Sequence, residues 1–233
     1  MQSAARLTIV VLAFTTLGAL RAAAAGLLPA TPMLPPMRVT VAASPDVPDP
    51  VISMMLAEAD AIWRRAGCGF VWERGPIDPP PTSARPWSSL RVVIGDRQRT
   101  TADGTLPLGW IVFDDVSTPE QEVYVSYASA RRFLDEAAGV VGRTNQMPVL
   151  QRQMLMARAM GRVLAHELGH YLLASKAHTA RGIMKATQTA TELFSNDRSL
   201  FTLEPSQAIR VAARLAMLQP PLAEVTPRYR PGV

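Results

Sequence analysis

The stretch Val163-Leu164-Ala165-His166-Glu167-Leu168-Gly169-His170 closes a long helical pattern and decides how this chain is read. The 233 residues include three histidines, His166, His170 and His178, all within thirteen positions of one another. Helical residues four apart share a face and lie about 6 Å apart along the axis. His166 and His170 can therefore bind one metal ion, at roughly 2.0–2.1 Å each. Glu167, next to the first imidazole, points to one side of the metal, where its carboxylate can accept a proton from a bound water. A catalytic Zn2+ keeps three protein ligands and one open position. His178, the remaining histidine, lies just past the helix end and is the expected third ligand, against the alternative of a surface-loop histidine.

The stretch His178-Thr179-Ala180-Arg181-Gly182-Ile183-Met184 then places a glycine and a methionine close behind that histidine. With HExxH before it, this resembles the metzincin zinc metalloproteases, whose motif adds a third histidine and then a tight turn with a methionine beneath the metal. The resemblance implies that Met184 is the turn methionine, a structural support and not a ligand. With eleven methionines in the chain, core filling is its competing use. The usual metzincin spacing puts a glycine three residues after the second histidine and the third histidine six after it. Here those positions hold Leu173 and Lys176, and His178 comes eight after His170, so the connection is two residues longer. Glu192, in Thr191-Glu192-Leu193-Phe194, faintly resembles the glutamate that completes the site in the gluzincin group. It is the rival third ligand, and otherwise a solvated carboxylate.

Residues 1–25 read as a secretory signal peptide: Arg6, an apolar stretch over 7–20, and small residues from Ala22 to a cleavage point near Ala25. The apolar stretch is too short to span a membrane, and no cysteine follows the cleavage region, so no stable membrane anchor is expected. The expected location is secreted or periplasmic. A Pro-rich lead-in (26–36), a catalytic domain (37–218) and a Pro-rich tail (219–233) complete the organisation. About ten residues between the cleavage point and the first strand leave no room for a prodomain. Restraint then falls to a protein inhibitor, to selectivity or to low intrinsic activity. Export implies an oxidising compartment, yet the one cysteine, Cys68, cannot form an internal disulfide. It reads as a small buried residue, the alternative being a thiolate that masks the zinc.

Without Arg6 and Arg21 the 24 basic residues fall to 22 against 19 acidic, a net of +3. No basic run exceeds two residues, so nucleic acid is not an expected partner. The two lysines, Lys176 and Lys185, both flank the presumed site.

Residues 37–42 alternate as a strand. Asp49-Pro50 reads as an N-cap with proline at the first helical position, and Gly67 as the terminator of the helix between them. Residues 70–72, 90–94, 109–113 and 123–127 read as strands, with a short helix through Arg131 and Leu134. The helix over about 148–172 carries HExxH. Pro205 opens a last helix with Ala208, Ile209, Ala212 and Ala216 on one face. The expected fold is α+β: a twisted mixed sheet of about five strands packed on two long helices, the second carrying HExxH, then a zinc-binding loop and a C-terminal helix.

That order is similar to the metzincin catalytic domain, in which the edge strand pairs with the bound peptide's backbone. By position, residues 121–127 are the candidate for that strand. The implied function is a secreted zinc-dependent endopeptidase acting on peptide or protein substrates, with Glu167 as general base. An exported zinc-binding module without activity and a zinc hydrolase of non-peptide amides are the alternatives.

Overall fold

The computed structural model describes residues 34–78, 90–101, 104 and 106–218. The expected signal peptide, most of the lead-in (26–33) and the tail lie outside the described residues. No helix among the described residues is long and apolar enough to cross a membrane.

Strand β1 (Met37–Ala43) buries Met37, Val39 and Val41 on one face, as the period of two requires. Helix α1 (Asp49–Arg64) turns Ile52, Met55, Ala59, Ile62 and Trp63 inward. It stops at Gly67, whose φ of 77° is open to glycine at little cost. The Gly67 N–H bonds the Arg64 carbonyl at 3.0 Å and the Cys68 N–H the Trp63 carbonyl at 3.1 Å, the paired closure of a Schellman turn. The chain continues through β2 (Phe70–Arg74), β3 (Leu90–Gly95), β4 (Gly109–Phe113) and β5 (Pro119–Ser126). Helices α2 (Tyr127–Glu136) and α3 (Ala138–Val141) and a 3-10 turn (Thr144–Gln146) lead into α4 (Val149–Leu173). Helices α5 (Ala190–Phe194) and α6 (Pro205–Leu218) close the described chain.

The five strands form one sheet in the order β2-β1-β3-β5-β4. The first four are parallel and β4 runs antiparallel to β5. The register aligns Val41 with Val92 and Val92 with Val123, so like apolar side chains form a row across the inner face. These residues share one core with the buried faces of α1 and α4. Each fully buried Val, Leu or Ile contributes about 1.5–3 kcal/mol relative to exposure. The α+β architecture and the five-stranded mixed sheet agree with expectation.

Helix α4 lies close against α1. A Cβ on Gly161 would stand 2.6 Å from Glu58 Cβ and 2.7 Å from the Met55 carbonyl oxygen. Across the same contact the Trp63 indole donates to the Ala165 carbonyl at 3.1 Å. Arg162, fully buried, bonds Glu58 through Nε at 3.0 Å.

Four local expectations are corrected. Strand β5, which contains most of 121–127, is not an edge: β3 pairs with it on one side and β4 on the other, so β4 is the edge beside the site. Periodicity reports that a segment is a strand but not its neighbours, and the antiparallel return of β4 covers β5. Tyr127 belongs to α2, because Ser126 Oγ accepts from the Ser129 N–H at 3.1 Å and starts the helix there. Pro48, not Asp49, is the N-cap of α1; the Asp49 carboxylate is drawn instead to Arg74, at 2.9 Å. In α6 the buried positions are Gln207, Val211 and Leu215, while Ile209 is 72% exposed. The helix is rotated from the face its alanines suggested, because Val211 and Leu215, with more apolar surface than those alanines, pack into the core.

Gly161→Ala should lower stability to chemical denaturation by about 1–3 kcal/mol, outweighing the gain of about 1 kcal/mol in helix propensity. A midpoint that rises would show that α1 can move away from α4 at little cost.

Candidate metal centre

His166 and His170 lie one turn apart near the end of α4, His170 buried and His166 half-buried. Each ring is held by the chain that follows the helix. His166 Nδ1 lies 2.7 Å from the Ile183 carbonyl oxygen, and His170 Nδ1 lies 2.7 Å from that of Ser175. A carbonyl only accepts, so both Nδ1 atoms carry the proton and both Nε2 atoms present lone pairs. These Nε2 atoms face each other at 3.0 Å. Two lone pairs so close repel unless a cation stands between them. Nitrogens 2.0–2.1 Å from one tetrahedral ion would lie about 3.3 Å apart.

The chain returns to the site through a turn at Ala174, a left-handed residue with φ of 46°. It takes the place of the glycine missing at position 173, and the Ser175 N–H bonds back to the His170 carbonyl at 3.2 Å. His178 then stacks on His166, ring centroids 5.3 Å apart, and meets the edge of His170 at 4.9 Å. One nitrogen from each of the three imidazoles falls within 4.8 Å of the others, so the three can hold a metal ion. The two added residues in the connection do not keep His178 away.

Behind the rings the chain makes a second tight turn. Gly182, at φ of 80°, sits where a Cβ would lie 2.4 Å from the Thr202 carbonyl oxygen. The next residue, Ile183, donates its N–H to that oxygen at 2.9 Å and offers its own carbonyl to His166. Met184 is fully buried under α4, and a Cβ on Gly169 would come 2.2 Å from its sulfur. The glycine inside HExxH is thus what allows a methionine beneath the helix.

Glu167 points away from this turn, toward the sheet edge. Its carboxylate accepts a backbone hydrogen bond from Ile111 in β4, and Gly109 passes close beside it. Burial pushes its pKa up to about 8. Burial likewise drives His166 down to about 4, helped by the neighbouring His170, and lowers His170 and His178. All three imidazoles are neutral at neutral pH, the state that binds a metal. His166 and Glu167 line one wall of a cleft of about 790 Å³.

The other candidates lie elsewhere. Glu192 closes a capping box with Thr189 and pairs with Lys185 at 2.7 Å, and it is not part of the histidine cluster. Cys68 is buried with its pKa raised to about 11 by desolvation, so it remains a thiol and no thiolate is available to mask a metal. Three features escaped sequence reading: the β4 backbone against Glu167, Arg162, and Phe113, whose ring lies edge-on to His170 at 6.5 Å with Lys176 Nζ 5.2 Å from its centre. The lysine beside the motif hinted only at the last.

No family model matches the chain, and no curated protein does. Among solved structures, archaemetzincin from Methanopyrus kandleri is similar, with 14% sequence identity and a TM-score of 0.47 over 77% of this chain and 96% of that one. At that distance the site is read from its own residues.

In the metal-free protein Glu167 has a folded pKa of about 8 against an ordinary 4.5. The folded chain keeps this proton longer than the unfolded chain, so the stability it contributes is full below about pH 4.5 and is lost as pH rises toward 8. Glu167→Gln should therefore become progressively more stable than the parent between those limits. Urea titrations of chelator-treated protein at pH 5 and pH 8 read this, and a pH-independent difference would contradict the burial of the carboxylate.

Proposed function

We propose that the chain is an exported zinc-dependent endopeptidase. The observation that carries this reading is the convergence of His166, His170 and His178, with two of the rings fixed through Nδ1 and a buried carboxylate next in sequence to the first. Three neutral imidazoles are the donor set of a catalytic zinc and leave its fourth position open. When bound there, zinc acidifies a water and polarises the scissile carbonyl.

His166, His170 and His178 are the ligands, and the Ile183 and Ser175 carbonyls orient two of them and raise their basicity. Glu167 takes the proton of the attacking water and delivers it to the leaving amine. Met184 supports the ring cluster from beneath α4 and is not a ligand. Strand β4 is where an extended peptide would add, because it borders Glu167 and its outer side has no strand neighbour among the described residues. Export rests on residues 1–25 as a signal sequence, and peptide or protein chains are the proposed substrates.

Purified chain loaded with zinc should cleave members of a diverse peptide mixture, new termini being read by mass spectrometry. Glu167→Gln should retain one zinc per chain and lose turnover by roughly 10²–10⁴-fold. Undiminished turnover in that variant would overturn the role of Glu167. A folded, zinc-loaded chain that cleaves nothing would point to a silent binding module or to a non-peptide amide substrate.

Ligand assignment has its own test. His178→Ala should weaken zinc binding by roughly 100-fold or more, beyond what loss of an outer partner costs, whereas Glu192→Gln should leave it unchanged in a competitive chelator titration. The reverse pattern would make Glu192 the third ligand.

A further inference from the structure

The cleft of about 790 Å³ beside His166 and Glu167 is of the size that takes a large side chain. Its walls include Leu108, Phe133, Val163 and Leu193. Apart from Glu167, the charged side chains on its described walls are paired: Arg132 with Glu136 at 2.8 Å and Lys185 with Glu192 at 2.7 Å. A charged side chain entering among these apolar walls would lose its water, a cost that only a matched partner offsets. One polar group on the wall is different. Ser129 is 3% exposed and its hydroxyl has no hydrogen-bond partner among the described residues, although its N–H is taken by Ser126. Buried hydroxyls are ordinarily satisfied. With no hydrogen bond of its own to break, this hydroxyl gives up no partner in bonding a ligand.

We propose that this cleft is the subsite for a large neutral substrate side chain with a polar end, a phenol in first place, and that Ser129 is the residue that selects it. Tyrosine fits: its ring meets the apolar walls and its hydroxyl reaches Ser129, satisfying both groups. Phenylalanine fills the same space and leaves the serine unpaired. A net hydrogen bond of the usual strength separates the two by about 3- to 10-fold in affinity. Arginine and glutamate are disfavoured by the water they would lose against these walls once Glu167 is replaced by glutamine.

The inference rests on the peptidase reading for its substrate class, but its test does not depend on hydrolysis. Zinc-loaded Glu167→Gln chain is titrated with four blocked pentapeptides that differ at one central residue: tyrosine, phenylalanine, arginine or glutamate. Binding is followed by fluorescence anisotropy of a terminal dye. Tyrosine should bind about 3- to 10-fold tighter than phenylalanine, and both tighter than the charged pair. Adding Ser129→Ala should abolish the tyrosine advantage while the phenylalanine peptide, which doubles as the folding control, still binds. Thr187→Trp, at an exposed position bordering the cleft, should weaken the two aromatic peptides alike.

Equal binding of tyrosine and phenylalanine, a gap that survives Ser129→Ala, tighter binding of a charged peptide, or no binding of any of the four would each overturn the subsite. A chain that binds in the expected order but never cleaves fails the hydrolytic reading alone. One that cleaves without this order fails the subsite alone.

Discussion

The fold and the site share one buried guanidinium. Arg162 lies in α4 one turn before His166, is fully buried, and binds Glu58 of α1 at 3.0 Å. Its remaining nitrogens donate to the carbonyls of Glu192 and, at 2.9 Å, Asp197, and Phe201 lies 4.5 Å from its centre. Arg198, from the same distal segment, takes the other oxygen of Glu58 at 2.6 Å. A charge taken out of water is tolerated only when its hydrogen bonds are filled, so helix α1, helix α4 and the segment beyond the histidine loop are held in one arrangement. Truncating Arg162 would leave Glu58 with one partner fewer and two carbonyls bare.

This matters because backbone oxygens from after α4, not side chains, aim the rings. Ser175 and Ile183 supply the two carbonyls that set the tautomers of His170 and His166. Ser175 is brought round by Ala174 in a left-handed conformation that costs a non-glycine residue about 1–2 kcal/mol. That strain persists because hydrogen bonds on both sides of the turn define it. Ile183 is fixed between Gly182 and Thr202, and Met184 is wedged under Gly169. Loop and helix therefore position each other.

The sheet contributes through its edge. Glu167 is buried because β4 runs alongside the end of α4, with Gly109 leaving room for its methylene and Ile111 giving a backbone hydrogen bond. The carboxylate sits in a low-dielectric groove between a strand and a helix, which raises its pKa. The same groove opens into the cleft that includes Ser129, so the Glu167 carboxylate and that cleft lie against one strand.

HExxH on a helix, a third histidine shortly after it and Gly182 before Met184 were readable because their information is local. Helical pitch brings residues four apart together, and glycine permits the turns. The strands and both long helices were readable for the same reason, since apolar periods of 2 and 3.6 survive in residues 37–42 and 148–172. Pairing order left no such mark. The sequence of β5 looks the same whether or not β4 covers it, so only the folded sheet decided which strand forms the edge. Arg162 reads as one more polar residue in a helix until Glu58, 104 positions away, meets it. The sequence by itself determined the three histidines that converge and the helix that carries two of them. Tertiary structure decided how deeply Glu167 is buried, which carbonyls orient the rings and what the cleft offers, because these depend on groups far apart in the chain that meet only when water is excluded between them.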